Sequence, residues 1–360
     1  MKFDYEDVSP LVVWEITLDC NLNCLHCGSS AGKARPNELT TKEALSLCQD
    51  FADIGVDEVC LMGGEPLIRK DWFEISKKIK DLGMKLDIIT NGFHKNREEL
   101  VSKLSKLEPF VVGISIDGSN EKIHDRIRKK GSFKLATEFL SNLKKENIDT
   151  SIITTVNKIN FKDIPKIKDL ILGKQIAWQI QTGSPLGRFS KKYALSNEEF
   201  YALGLFIAKM KKEYSKKELP VIGAHGLGYY SKYIPSLALY EKWLGCPAGL
   251  ITFGVQSDGG IKGCLSTPDY LIEGNCRERS IRDIWYDPNS FTYNRNFLAE
   301  NLGNNCKNCE HSNVCRGGCI SISTALTGGL HNDPWCFHRL EKILEKNKKD
   351  PNKLLNLIIG

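Results

Sequence analysis

The chain of 360 residues is 41% hydrophobic, enough to bury a sizeable core and to support more than one domain. Its net charge of +6 is modest, and the basic residues are interleaved with Asp and Glu, which argues against a nucleic-acid binder. No apolar run reaches the roughly 18 residues of a membrane span, and the short acidic segment Met1 to Pro10 reads as no signal peptide, so the expected location is the cytoplasm.

In chain order, strands rich in Val, Ile and Thr are expected at 11–18, 57–62, 85–90, 110–116, 149–156 and 176–181. Amphipathic helices are expected between them at 40–54, 72–82, 97–107, 133–145 and 164–172. The first opens on Thr40-Thr41-Lys42-Glu43, a capping box. This alternation implies an α/β fold with a parallel sheet and crossover helices. Six units suit a partial (β/α)6 barrel, a TIM-like barrel left open, over residues 1–190. A connector at 191–245 holds one helix, 196–214. From Cys246 the texture becomes cysteine- and glycine-rich, implying a small domain at 246–345 that needs metal staples. A Lys-rich tail, 346–360, reads as a terminal helix docked on the body.

Thirteen cysteines without an export signal point to metal binding rather than to disulfides. Cys20, Cys24 and Cys27 follow the first strand in a Cys-x3-Cys-x2-Cys loop, with His26 between two of them. Thiolates are natural ligands of iron–sulfur clusters, and three of them leave one iron of a four-iron cluster free. No fourth ligand follows within a short loop, as a structural zinc site would require.

This loop after a first strand resembles the signature of radical S-adenosylmethionine enzymes. The resemblance implies a free iron that chelates the methionine moiety, and an electron transfer that yields a 5′-deoxyadenosyl radical. Gly63-Gly64-Glu65-Pro66, after the second strand, resembles the family's motif at the methionine amino group; a carboxylate there can accept from an ammonium. Ser115, Asp117 and Arg128 resemble its Ser-x-Asp-Gly element and downstream cofactor-binding Arg. Thr90-Asn91-Gly92 is either a plain turn or a site element. Pro185-Leu186-Gly187-Arg188 resembles an element expected near the adenine or the substrate.

At the C-terminal side, Cys246, Cys264, Cys306, Cys309, Cys315, Cys319 and Cys336 resemble the SPASM extension, which holds two auxiliary [4Fe-4S] clusters. The resemblance assigns Cys246, Cys264 and Cys319 to the nearer cluster, and Cys306, Cys309, Cys315 and Cys336 to the farther one. The nearer cluster is thereby one ligand short. Cys276 is a candidate for that place, but reads better as a small packed residue on a loop. Cys48 and Cys60 read as core. Histidines 225, 311, 331 and 338 show no ligand spacing to one another; His311 and His338, near cluster cysteines, could donate hydrogen bonds to sulfur.

The resemblance implies a cytoplasmic maturase acting on a ribosomally made peptide or protein. A reductant such as flavodoxin or ferredoxin would serve it, and S-adenosylmethionine would be the cofactor. Only 19 residues precede Cys20, so any leader peptide is expected to be recognised by a separate leader-binding protein or by the barrel. The competing readings are a small-molecule dehydrogenase or tetrapyrrole-processing enzyme, whose relatives usually carry fewer cysteines, and a zinc-stapled binding protein.

Overall fold

The computed structural model describes residues 8–224, 226–227, 229–238 and 243–360. The elements are β1 (Leu11–Thr17), α1 (Thr41–Asp53), β2 (Glu58–Gly63), α2 (Trp72–Asp81), β3 (Lys85–Thr90), α3 (Arg97–Leu107), β4 (Val111–Ser115) and α4 (Glu121–Ile127). There follow α5 (Ser132–Lys145), β5 (Thr150–Val156), α6 (Ile164–Ile171), β6 (Ala177–Thr182), α7 (Asn197–Glu213) and β7 (Val221–Gly223). The cysteine-rich part contributes β8 (Thr252–Val255), β9 (Gly260–Lys262), β10 (Ile272–Asn275), α8 (Ile281–Trp285), α9 (Thr292–Arg295), α10 (Ser312–Cys315) and α11 (Ile320–Thr327). The tail holds α12 (Phe337–Lys346) and α13 (Asn356–Ile359).

Strands β1 to β6 pair in parallel and in chain order, as the βα alternation requires, and form the open α/β barrel. The Thr40 capping box at the start of α1 is formed on both arms. Two features lie outside the expected rhythm. The connector adds β7 beside β6, and β8 pairs in parallel with β1, from Leu11 opposite Thr252 to Trp14 opposite Val255. One sheet therefore runs from the cysteine-rich part through the barrel, in the order β10-β9-β8-β1-β2-β3-β4-β5-β6-β7.

Strand alternation sorts the side chains. Val12, Trp14, Ile16, Val59 and Leu61 are buried under the helices, where Trp14 meets Phe51 edge-on at 5.5 Å. The opposite face lines the inside of the barrel with half-buried residues such as Val13, Ile89 and Gln179. Cys48 is buried in the core as expected. Cys60 is not: it lies on the face opposite Val59 and Leu61, which its alternation with two apolar neighbours disguised. Helix α12 docks through Phe337, which stacks on Phe200 of α7 at 4.8 Å and fills the space left by Gly204, and within 346–360 the short helix α13 buries Ile358.

Candidate functional site

Strand β1 delivers the chain to the cysteine loop at the C-terminal edge of the sheet. Cys24 is buried, and Cys20 and Cys27 are half-buried. The loop's own amides point at sulfur: Leu22 N–H lies 3.4 Å from Cys20 Sγ, and Ala31 N–H lies 3.3 Å from Cys27 Sγ. The three thiols are near enough for their charges to repel one another, and burial pushes Cys20 up to about 12 despite the pull of the Leu22 amide. A buried set of three soft sulfurs with amides aimed at them fits a metal-bound thiolate set, because a metal ion offsets the cost that burial places on the thiolate.

Four segments hold this loop. Gly64 N–H and Glu65 N–H donate to the carbonyls of Thr17 and Asp19, and a Cβ on Gly64 would lie 2.0 Å from Asp19 O. Asn91, from the loop after β3, donates to Asn21 Oδ1 at 2.8 Å and approaches Cys20 Sγ at 3.8 Å. Arg188 donates to the carbonyls of Ala31 (2.6 Å) and Cys24 (3.3 Å), while its amide donates to Cys27 O. Lys129 reaches Asn21 O at 3.1 Å. Arg188, which the sequence places near the adenine or the substrate, binds the backbone around the cysteine loop through its guanidinium.

Asp117 is the hub of the fourth strand's end. Its Oδ2 accepts from Arg128 Nε at 2.6 Å and meets His26 Nε2 at 2.9 Å; its Oδ1 accepts from Thr155 N–H at 2.8 Å. It is fully buried. Burial alone would raise its pKa, but the charges of Arg128 and His26 hold the carboxyl far below the usual carboxylate range. Its own amide donates to His124 Nδ1. Arg128 in turn extends to 3.8 Å from Cys24 Sγ, placing a buried positive charge beside the thiols. Asp117 thus orients Arg128 and His26, while Ser115 ends β4 half-buried on the inner face.

The Glu65 carboxylate, which the resemblance places at the methionine amino group, is held by the second and third strand ends. It is fully buried and already accepts from Leu67 N–H, Thr90 Oγ1 and Asn91 N–H at 3.2, 2.8 and 2.7 Å. It ties the second and third strand ends together and leaves Gly63, Gly64 and Pro66 to shape the loop.

The seven C-terminal cysteines form two groups. Cys246 and Cys319 share a hydrogen bond, and Cys264 feels the charge of Cys246. Cys306 feels Cys309, while Cys336 feels Cys315 and Cys306. Between the groups sits Asp333. Its carboxylate accepts from Tyr229 Oη (2.5 Å) and Cys319 N–H (3.1 Å), and its carbonyl lies 4.0 Å from Cys306 Sγ. Burial raises Asp333 to about 7. Cys276 belongs to neither group: its charged neighbours are Arg277, Asp50 and Glu43, on the helix side of the sheet, where it borders a cleft with Leu39 and Leu47. His311 and His338 come together with Glu310, their ligand atoms within 4.8 Å, although Lys342 also pairs with Glu310. His331 sets its two ring nitrogens against the carbonyls of Arg316 and Tyr293, at 2.6 and 2.7 Å, and His225 lies outside the described residues.

Residues 14–171 match the Radical SAM superfamily, and residues 246–310 match the SPASM iron–sulfur cluster-binding domain. The AdoMet-dependent heme synthase of Methanosarcina barkeri is 33% identical, over 91% of this chain and 96% of that protein. The mycofactocin maturase MftC of Mycolicibacterium smegmatis is 26% identical, over 88% of this chain and 79% of its own. Among solved structures, Streptococcus suis SuiB bound to S-adenosylmethionine superposes with a TM-score of 0.71 at 19% identity, covering 92% of this chain and 76% of that one.

Proposed function

The chain belongs to the radical SAM superfamily, carries a SPASM iron–sulfur domain and uses [4Fe-4S] clusters and S-adenosylmethionine; from that premise we propose that it oxidises a side chain of a tetrapyrrole. The observation that carries this reading is the 33% identity, along nearly the full length of both chains, to a protein named for heme synthesis. It reverses the order of preference drawn from the cysteine count.

When bound, the cluster and S-adenosylmethionine supply a one-electron oxidant that takes a hydrogen atom from an unactivated carbon. The residues proposed to hold that cluster are Cys20, Cys24 and Cys27, with Gly63, Gly64, Ser115 and Arg128 facing the cofactor. Arg128, fixed by Asp117, supplies positive charge on the thiolate side. For a carboxyethyl side chain, loss of a hydrogen atom, carbon dioxide and one electron leaves a vinyl group. The electron needs an acceptor, which is the role proposed for the C-terminal cysteine groups.

A peptide substrate is the second reading, supported by the 26% identity to a mycofactocin maturase. Anaerobically reconstituted and reduced protein, given S-adenosylmethionine and iron coproporphyrin III, is expected to form 5′-deoxyadenosine together with a decarboxylated porphyrin. Turnover with a peptide and none with the porphyrin, read by mass spectrometry, would overturn the first reading in favour of the second.

A further inference from the structure

The nearer auxiliary group offers three thiols, Cys246, Cys264 and Cys319, and Cys276 lies elsewhere. The chemistry of a four-iron cluster asks what meets its fourth iron. One side chain of the described residues stands at that site with an uncommitted donor atom. Tyr293 packs on the small apolar cluster of Cys246, Ala248 and Ile320, together with Cys264. Its hydroxyl is shielded from solvent and makes no well-formed hydrogen bond, although it leans on the Gly263 backbone; a Cβ on Gly263 would lie only 2.1 Å from it. Gly263 immediately precedes Cys264, so the absence of a side chain there is what admits the phenol.

The approach is rigid. Asn294 Nδ2 donates to both Cys246 O (2.7 Å) and Ala248 O (2.8 Å), and Arg295 Nε donates to Gly249 O (2.7 Å). His331 Nε2 meets the Tyr293 carbonyl at 2.7 Å. Asn294 and Arg295 of α9 are therefore clamped to the loop that carries Cys246, and Tyr293 just before them is held through its carbonyl by His331. A buried phenol without a partner carries a desolvation cost that something in the working protein must repay.

We propose that Tyr293 closes the nearer auxiliary cluster by giving its phenolate oxygen to the iron that no thiolate of the chain reaches. The inference rests on Cys246, Cys264 and Cys319 holding that cluster. Iron accepts tyrosinate, as in haem sites with a Tyr ligand. On binding, the phenol releases its proton to solvent as each thiol does. With four protein ligands the cluster has no position for substrate, and its part is electron transfer.

The test uses the full, anaerobically reconstituted chain and resonance Raman spectroscopy with visible excitation. The native protein is expected to show resonance-enhanced phenolate ring modes that Tyr293→Phe loses, with loss of about one iron per chain from the site that becomes three-ligated. Phenolate modes absent from the native protein, or unchanged in Tyr293→Phe, would overturn the proposal. Full iron retention in Cys246→Ala would instead overturn the cluster assignment beneath it.

Discussion

At the scale of single residues, Asp117 shows how a buried charge organises a site. Its carboxylate meets Arg128 and His26 with no solvent contact. Asp117→Asn keeps the shape and removes the counter-charge, so Arg128 is left buried and unpaired. The expected loss is about 3–5 kcal/mol of stability, measured by denaturant unfolding. His124 beside it adds a pH dependence. Burial, then the Arg128 charge, lowers its pKa from 6.5 to about 4, against the opposing pull of Asp117 and Asp125. Below pH 6.5 the unfolded chain takes up a proton that the folded chain refuses. Stability is therefore complete above that value and falls by about 3 kcal/mol as the pH drops toward 4. Unfolding midpoints between pH 7 and 4.5 should show this decline, and His124→Gln should flatten it; an equal decline in both proteins contradicts the assignment. That Cys20, Cys24 and Cys27 come together on one loop was legible in the sequence because their spacing is local. The work of Asp117, His26 and Asn91 was not, because each partner arrives from a different strand end.

Among the elements, the long strands and helices were legible because their periodicity is strong; α3, for example, is found at its expected limits, Arg97–Leu107. The seven-residue α4 was missed, being too short and too charged to show a period. The four-residue β8 and three-residue β9 were hidden in cysteine-rich texture for the same reason. The cysteine loop itself has no regular structure and depends on its neighbours. Arg188 makes two side-chain bonds to its carbonyls, and Gly187, at φ 55°, sits where a Cβ would meet Gly28 O at 2.4 Å. Arg188→Ala gives up charge-assisted bonds of about 1.5–3 kcal/mol each. It is expected to lower iron retention at the N-terminal cluster while the auxiliary iron stays. Iron analysis on a variant that also lacks the C-terminal ligands isolates this loss, and unchanged retention would show that the loop holds itself.

For the whole molecule, the decisive feature is the parallel pairing of β8 with β1. The cysteine-rich part is not a bead appended to a barrel; it finishes the barrel's sheet. A chain ending after residue 245 would expose the full edge of β1, and it is expected to aggregate on size-exclusion chromatography rather than elute as a folded monomer. The same pairing sets a length. Cys20 leaves the exit end of β1, whereas Cys246 and Ala248 lie by Thr252, beside Leu11 at the entry end. Seven residues at about 3.3 Å each separate the two ends by roughly 20 Å. Strand β1 is thus a ruler laid between the N-terminal cysteine loop and the loop that carries Cys246, the two sites to which the proposed function gives hydrogen abstraction and electron receipt.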